Sequence, residues 1–320
     1  MNNSDKEERS QPRIAVLIPC YNEEVTIKEV IHNFQSSLPH AHIYVYDNNS
    51  TDHTAEIARA AGAVVRYEKR QGKGNVMRSM FRDIEADFYI MTDGDDTYDA
   101  GLAVSMLQLA VQSHYDVVNC IRKGKESQSY RPGHVLGSKL LTKAVNAIFG
   151  NYIQDMLSGY KVLSKRFVKS FPIQSMGFDI ETEIAIHALQ LQIPIGHIEG
   201  NYYARTPGSE SKLRTVYDGF KILKLIISLF RHEKPLPFFS YIGFILVIIS
   251  LALGIPVVYH FFETGLVPKL PTAVLSMGIM LVAFLSFMTG IILDTVTKGR
   301  IENKMIAYLQ YKPFDSKDQN

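Results

Sequence analysis

The sequence predicts an α/β chain with a mostly parallel sheet, followed by an amphipathic membrane-surface helix and a two-helix transmembrane hairpin. Three observations carry this. Short apolar runs alternate with helical periodicity from Ile14 to Glu199, and the early runs end in polar clusters. One cluster, after the run Phe88 to Met91, holds three carboxylates: Asp93, Asp95 and Asp96. Two stretches, Leu236 to Phe262 and Leu270 to Leu293, are long and apolar enough to span a bilayer.

The bulk numbers set bounds on this. A chain of 320 residues holds one large domain or two small ones. A net charge of +2 gives no strong field that would point to nucleic acid. Two cysteines, Cys20 and Cys120, make no disulfide framework. Cys20 closes an apolar run and reads as a buried small hydrophobe. Residues 1–12 are polar, mixed in charge and expected to be a flexible end without a secretory signal. The first two thirds are therefore expected in the cytosol.

Ile14 to Ile18 is an all-apolar strand, as for one buried on both faces, and Pro19 is expected to end it. Asn22, Glu23 and Glu24 lead into an amphipathic helix through Ile27, Val30, Ile31 and Phe34. Acids in a first turn favour the helix dipole. A polar cluster at a strand's carboxyl end is also where a nucleotide base or ribose would lie. Ile43 to Tyr46 repeats the design and delivers Asp47 and Asn48. Ser50 or Asp52 can cap the next helix, and Gly62 ends it. With Val64 to Tyr67 as a third strand, the alternation argues for parallel βαβ units.

Arg70 to Arg78 is a basic turn with Gly72 and Gly74 around Lys73. Its glycines permit backbone approach to an anion, and a helix starting near Asn75 offers its N-terminus. The spacing is not that of a Walker A loop, and a flexible basic turn accounts for the same residues. Asp93 and Asp95, splayed by Gly94, can share a hard divalent cation with a diphosphate. A bare acidic turn with one Asp as helix cap is the alternative. Lys73 and the acids lie on successive strand-to-helix connections, which suits a cation-bound nucleotide diphosphate.

Leu102 to Gln112 reads as a helix, Asp116 to Ile121 as a strand, Arg122 to Gly133 as a basic loop and Lys139 to Phe149 as a helix. Asp155 to Leu163 puts a polar turn before a strand. Gly177 to Glu183 opens another helix, whose acids Asp179, Glu181 and Glu183 do not share a face and read as a solvated first turn. Ile195 to Glu199 is a further strand. Arg205 and Lys212, in a basic Gly/Ser-containing stretch, suit phosphate. Val216, Phe220, Leu223, Ile227 and Phe230 recur at helical spacing among Lys221, Lys224 and Arg231, the pattern of a membrane-surface helix.

The two apolar stretches carry aromatic residues at the ends of the first, and a short loop joins them into a hairpin. Arg231 and Lys234 precede them and Lys298, Arg300 and Lys304 follow, whereas the loop has Lys269 against Glu263. The positive-inside rule then puts both outer ends in the cytoplasm. Pro256 is a kink candidate, and Asp294 belongs at the interface. Gly278 and Gly290 allow close contacts within the hairpin or between protomers, a route to a homo-oligomer. The expected segments are 1–12, a domain over 13–212, the amphipathic helix 213–234, the hairpin 235–297 and a cytoplasmic tail 298–320.

Six stretches occur in order: Pro19-Cys-Tyr-Asn-Glu23, Tyr46-Asp-Asn-Asn-Ser-Thr-Asp52, Gly72-Lys-Gly74, Asp93-Gly-Asp-Asp96, Ser158-Gly-Tyr-Lys161 and Arg205-Thr-Pro-Gly-Ser-Glu-Ser-Lys212. Together they resemble family 2 glycosyltransferases of the polyprenyl-phosphate type, such as dolichol-phosphate mannosyltransferases and bacterial undecaprenyl-phosphate glucosyltransferases. The resemblance implies a GT-A fold, which is Rossmann-like, and a nucleotide sugar donor, with UDP-sugars favoured by family frequency over GDP-mannose. It implies inverting transfer of one sugar to a polyprenyl phosphate lipid, with Mg2+ or Mn2+, at the cytoplasmic face of a bacterial inner membrane. By resemblance, Pro19, Tyr21, Glu23, Asp47, Lys73, Asp93 and Gly94 would bind the nucleotide sugar, and Asp95 with Asp93 would hold the metal. Arg205 and Lys212 would take the donor diphosphate or the acceptor phosphate, Ser211 and Lys161 would join them on the acceptor phosphate, and Asp179 and Glu181 would contact sugar hydroxyls or act as base.

The chain departs from the family pattern twice. Lys161 stands where relatives have Arg, and loses the bidentate fork. Asp47-Asn-Asn-Ser50 replaces Asp-Asp-Gly-Ser. A processive synthase would need a Gln-x-x-Arg-Trp motif, and the chain has 0 Trp. A non-catalytic nucleotide-sugar-binding scaffold is opposed by the intact Asp93-Gly-Asp95 and the basic stretch from Arg205.

Overall fold

The structure, a computed structural model, describes residues 11–123, 142–150, 153–173, 180–205, 224 and 226–314. The expected flexible end, most of the basic loop after Arg122, Asp179, Ser211, Lys212 and most of the amphipathic helix lie outside the described residues. The chain forms two compact units, Met1–Gly219 with Lys304–Asn320, and Phe220–Asn303.

The first unit is built on one sheet in the order β3-β2-β1-β4-β6-β5-β7. The strands are β1 (Ile14–Cys20), β2 (His42–Asp47), β3 (Val64–Tyr67), β4 (Phe88–Met91), β5 (Val117–Lys123), β6 (Lys161–Ser164) and β7 (Ile195–Asn201). The helices are α1 (Ile27–Ser37), α2 (Thr54–Ala60), α3 (Lys73–Asp83), α4 (Leu102–Gln112), α5 (142–149), α6 (Lys165–Ser170) and α7 (Ile180–Gln190). Neighbouring strands are parallel except β6, which is antiparallel to both β4 and β5.

Successive residues of β1 serve two cores. Val16 and Ile18 join Ile27, Ile31 and Phe34 of α1 and Met106 of α4. Ala15 and Leu17 join Met77 and Met80 of α3 and Ile180 and Ile184 of α7. Burial on both faces is why the strand is apolar throughout. The strand passes through Pro19 and does not stop there. β4 pairs with β1 only as far as Leu17, so Pro19 has one ladder neighbour, Tyr46, and its missing N–H is tolerated as on an edge.

The register brings the polar clusters to one edge of the sheet. Cys20 lies opposite Asp47, and Leu17 opposite Met91. Because β6 runs backwards, its first residue, Lys161, also lies opposite Met91. α7 corrects a sequence expectation: it is not a solvated helix. Ile180, Glu181, Thr182 and every residue from Ile184 to Gln190 are buried.

The opposite edge is closed by the end of the chain, which is why the first unit reclaims residues from Lys304. The Tyr308 hydroxyl donates to Asp116 Oδ2 at 2.6 Å, and Arg166 binds both oxygens of that carboxylate at 2.6 Å each. Lys304 Nζ donates to Gln190 Oε1 at 2.8 Å. Phe314 packs edge-on to Phe88 with centroids 5.5 Å apart.

The second unit contains α8 (226–233), α9 (Pro235–Thr264) and α10 (Leu270–Leu309) up to Asn303. Both long helices are apolar and long enough to cross a membrane, and their large side chains, such as Phe244, Phe262 and Leu285, are exposed. Gly265, at φ 67°, ends α9 with its N–H donating to Phe261 O at 2.8 Å. α10 does not stop at Leu293. No proline follows Pro271 of its first turn, and Asp294 and Lys298 pair at 2.8 Å one turn apart along its continuation. The helices run antiparallel. Ser250 Oγ donates to Ser276 O at 2.7 Å and Ser276 Oγ to Ser250 O at 2.9 Å. A Cβ added at Gly243 would meet Phe287 at 2.9 Å, and one at Gly290 would meet Phe239 at 3.2 Å. Gly290 is therefore a packing glycine as expected, whereas Gly278 has no neighbour within 4 Å among the described residues.

Candidate active site

The loops leaving β1, β2 and β4 and the turn before β6 each pivot on one left-handed residue: Asn22 (φ 54°), Asn49 (φ 63°), Asp96 (φ 54°) and Asp155 (φ 48°). Asn and Asp adopt this conformation at less cost than other side chains. The loops are thus held in tight turns that aim neighbouring polar groups across the sheet edge.

Asp47 ends β2 and is buried. Its Oδ2 accepts the Ser50 N–H at 3.2 Å, while its Oδ1 is buried without a hydrogen-bond partner among the described residues. Asn48 staples the basic turn. Its amide donates to Glu68 O and Arg70 O, both at 2.8 Å, and its Oδ1 accepts the Gly72 N–H at 2.7 Å. An aspartate could accept from Gly72 but not donate to the two carbonyls, so the departure at Asn48 has a structural cause. Gly72, at φ 125°, is the cap from which α3 starts, and this delivers Lys73.

Lys73 Nζ lies 2.5 Å from Asp93 Oδ1 and 2.5 Å from Glu181 Oε1. Burial alone would lower the lysine pKa, but the two carboxylates outweigh it and raise it. Burial acts to raise Asp93, but Lys73, with Arg205 and Arg122 adding to it, leaves it lowered. Asp95 is raised, by burial first and then by the charge of Asp93. Its Oδ1 accepts the Thr97 hydroxyl at 2.6 Å, and its Oδ2 is 2.7 Å from Arg205 Nη2. Between the acids, the Gly94 carbonyl accepts the Thr26 hydroxyl at 2.7 Å.

The turn before β6 presses on the same carboxylates. A Cβ on Gly159 would run into the Asp93 carboxyl, so the close approach requires glycine. The Gly159 N–H donates to the Tyr98 hydroxyl at 2.9 Å. Lys161 is 2 % exposed and donates to Asn119 Oδ1. Burial lowers its pKa to about 8. The Asn119 amide in turn donates to Gln154 O at 2.8 Å and Asp155 O at 3.1 Å. Arg122 grips Asp155 with Nε at 2.7 Å and Nη2 at 2.6 Å.

The structure therefore gathers Lys73, Asp93, Asp95, Glu181 and Arg205 into one charged cluster. Pro19, Tyr21 and Glu23 are half-buried around the first loop, where the Glu23 N–H donates to Thr54 Oγ1 at 2.8 Å. Lys161 sits inside a closed polar network. The Arg122–Asp155 pair and Asn48 are structural supports that sequence reasoning passes over. The positions were visible in the polar turns, but nothing in their spacing identifies the partner.

A family model described as "Glycosyl transferase family 2" matches residues 15–171. Glycosyltransferase AglJ of Haloferax volcanii is 30% identical over 289 residues, covering 88% of this chain and 93% of that one. A dolichyl-phosphate hexose transferase of the same organism is 24% identical over 222 residues, covering 69% of this chain and 95% of that one. Glucosyl-3-phosphoglycerate synthase of Mycobacterium tuberculosis has been solved with Mn2+, uridine diphosphate and glucosyl-3-phosphoglycerate. It superposes with a TM-score of 0.57 at 19% identity, over 70% of this chain and 81% of that one, a likeness of fold. This chain belongs to glycosyltransferase family 2 and has the GT-A fold: it is a glycosyltransferase.

Proposed function

We propose that this glycosyltransferase moves one hexose from a nucleotide sugar, a UDP-sugar in the favoured case, to the phosphate of a polyprenyl lipid at the cytoplasmic membrane face. The observation that carries the reading is the opposed pairing of Asp93 and Asp95 with Lys73 and Arg205 at the carboxyl edge of the sheet. The unpartnered Asp47 Oδ1 supports it. A buried acceptor without a donor calls for a ligand N–H, which the imide of a uracil ring supplies. The dolichyl-phosphate relative supports the acceptor class, and the two apolar helices support residence in the acceptor's membrane. The basic residues outside the hairpin support the cytoplasmic face.

The residues fit a hard divalent cation. Asp95 and Asp93 offer carboxylate oxygens, and no cluster of three or more His, Cys, Asp or Glu among the described residues would hold a metal alone. That suits a Mg2+ or Mn2+ ion that completes its shell with substrate phosphates. When bound, the ion would supply charge neutralisation for the departing diphosphate. Arg205 adds a fork matched to phosphate oxygens. The acceptor phosphate is already an anion, so the main tasks are orientation and leaving-group stabilisation. Glu181 is clamped to the Lys73 ammonium, which suits it to orienting that group. Lys161, enclosed by Asn119, holds the β5–β6 edge in place for Asp93 and Gly159.

The test is incubation of the purified chain with polyprenyl phosphate, Mg2+ or Mn2+ and a panel of UDP- and GDP-sugars. Nucleoside diphosphate release and lipid mass are followed. The expected result is one sugar per lipid from one donor, lost in Asp95→Ala. Nucleotide binding without product from any donor would overturn the reading in favour of a scaffold. Product chains of many sugars would overturn single transfer.

A further inference from the structure

Asp95 has both oxygens engaged: Oδ1 by the Thr97 hydroxyl at 2.6 Å, Oδ2 by Arg205 Nη2 at 2.7 Å. A carboxylate oxygen in the first shell of Mg2+ or Mn2+ stands roughly 2.1 Å from the ion. A guanidinium cannot stay on that oxygen beside a dication without close like-charge contact. We propose that Arg205 is a built-in competitor of the divalent cation for Asp95, so that metal binding is conditional on a nucleoside diphosphate that draws the guanidinium off. The inference rests on the reading of Asp95 as metal ligand given above.

The surroundings favour Arg205, and not Lys73, as the group that moves. Lys73 is fixed by two carboxylates, Asp93 and Glu181, and its side chain is only 11% exposed. The Arg205 side chain is 34% exposed. Its backbone is tethered close by. Tyr203 donates its N–H to Thr97 O at 2.9 Å, and Tyr202 its N–H to Lys123 O at 2.9 Å. A diphosphate offers the displaced guanidinium a bidentate anion in return for the carboxylate it gives up. Linkage then requires nucleotide and metal to raise each other's affinity by the same factor.

The experiment measures Mn2+ uptake by the full chain in detergent, from the electron paramagnetic resonance of free Mn2+, with and without UDP. Arg205→Gln is expected to bind Mn2+ about tenfold more tightly than wild type when UDP is absent, inside the ordinary coupling range of about 5–150-fold. In the same variant UDP should raise Mn2+ affinity less than it does in wild type. Arg205→Lys, which keeps the charge, should keep the weak uptake. Matching thermal melts would exclude a folding defect. If Arg205→Gln binds no more tightly than wild type without UDP, while Asp95→Asn abolishes UDP-supported uptake, the competition is wrong and the metal site stands. If wild type takes up no Mn2+ even with UDP, or Asp95→Asn takes up as much, the reading of Asp95 itself falls.

Discussion

His187 lies on α7, the helix that carries Glu181, packed edge-on to Phe167 and tilted against Phe171 with ring centroids 5.1 and 5.0 Å away. It is 1% exposed, and its Nδ1 has no partner among the described residues. Burial, aided by the charge of Lys304, lowers its pKa from 6.5 to about 3. The sign follows from linkage. Below pH 6.5 the unfolded chain protonates this ring and the folded chain does not, so stability falls as pH drops from 6.5 towards 3. His187→Leu removes that term and leaves no orphan, because Ser170 Oγ still donates to Phe167 O at 2.9 Å. Urea unfolding from pH 7 to 4 should show a stability slope flatter than wild type by up to about 1.4 kcal/mol per pH unit. An unchanged slope would mean that the ring is protonated in the fold. At this scale the sequence was legible where position decides chemistry: Asp47, Asp93 and Asp95 follow apolar strands, and strand ends are where ligands bind. It was illegible where a partner decides. Glu181 reads as solvated from its own helix, because Lys73, 108 residues earlier, cannot be placed opposite it by periodicity.

The elements themselves were read well wherever the apolar pattern was self-contained, as in β3, β4 and α4, whose bounds match expectation. Misreadings arose where tertiary neighbours set the ends. β1 outlasts Pro19 because β4 has parted from it by then; the sheet itself is mostly parallel, as expected, with β6 as its antiparallel member. α10 outlasts its apolar stretch because polarity ends a membrane span without ending a helix. The hairpin offers a direct check on which small residues face inward. Ser250 and Ser276 oxygens are 3.3 Å apart, whereas Gly278 faces open space among the described residues. A Ser250→Cys, Ser276→Cys pair should oxidise to an intramolecular disulfide in membranes, seen as a mobility shift reversed by reductant. Ser250→Cys with Gly278→Cys should not. Crosslinking in the second pair alone would mean that α10 is rotated from the packing described. Cys20 and Cys120 are buried and should not interfere.

At the scale of the whole molecule, the first unit is discontinuous in sequence, and its closure by the C-terminal residues was not foreseen. The reason is physical: a tail with Tyr308 and Phe314 among charges has no periodicity that points to a docking place. Yet Asp116 at the start of β5 is buried, and its charge is met by Arg166, Ser164 and Tyr308 together. The Arg166 guanidinium also lies 4.7 Å from the centre of the Tyr308 ring, covered by it. Removing the hydroxyl alone, in Tyr308→Phe, leaves the ring in place and takes one donor from a charged acceptor, a loss of about 1.5–3 kcal/mol. A chain ending at residue 303 loses more, because the rings of Tyr308 and Phe314 go too, with Phe88 newly exposed. Neither change touches Asp93, Asp95 or Lys73, which lie at the other edge of the sheet. Hydrogen exchange should therefore show faster amides in β4 and β5 for both variants, more so for the truncation, with Tyr308→Phe keeping its nucleotide affinity. Wild-type exchange in the truncated chain would make the tail dispensable. Lost nucleotide affinity in Tyr308→Phe would mean that the two edges of the sheet are coupled, and that the tail belongs to the machinery as well as to the fold.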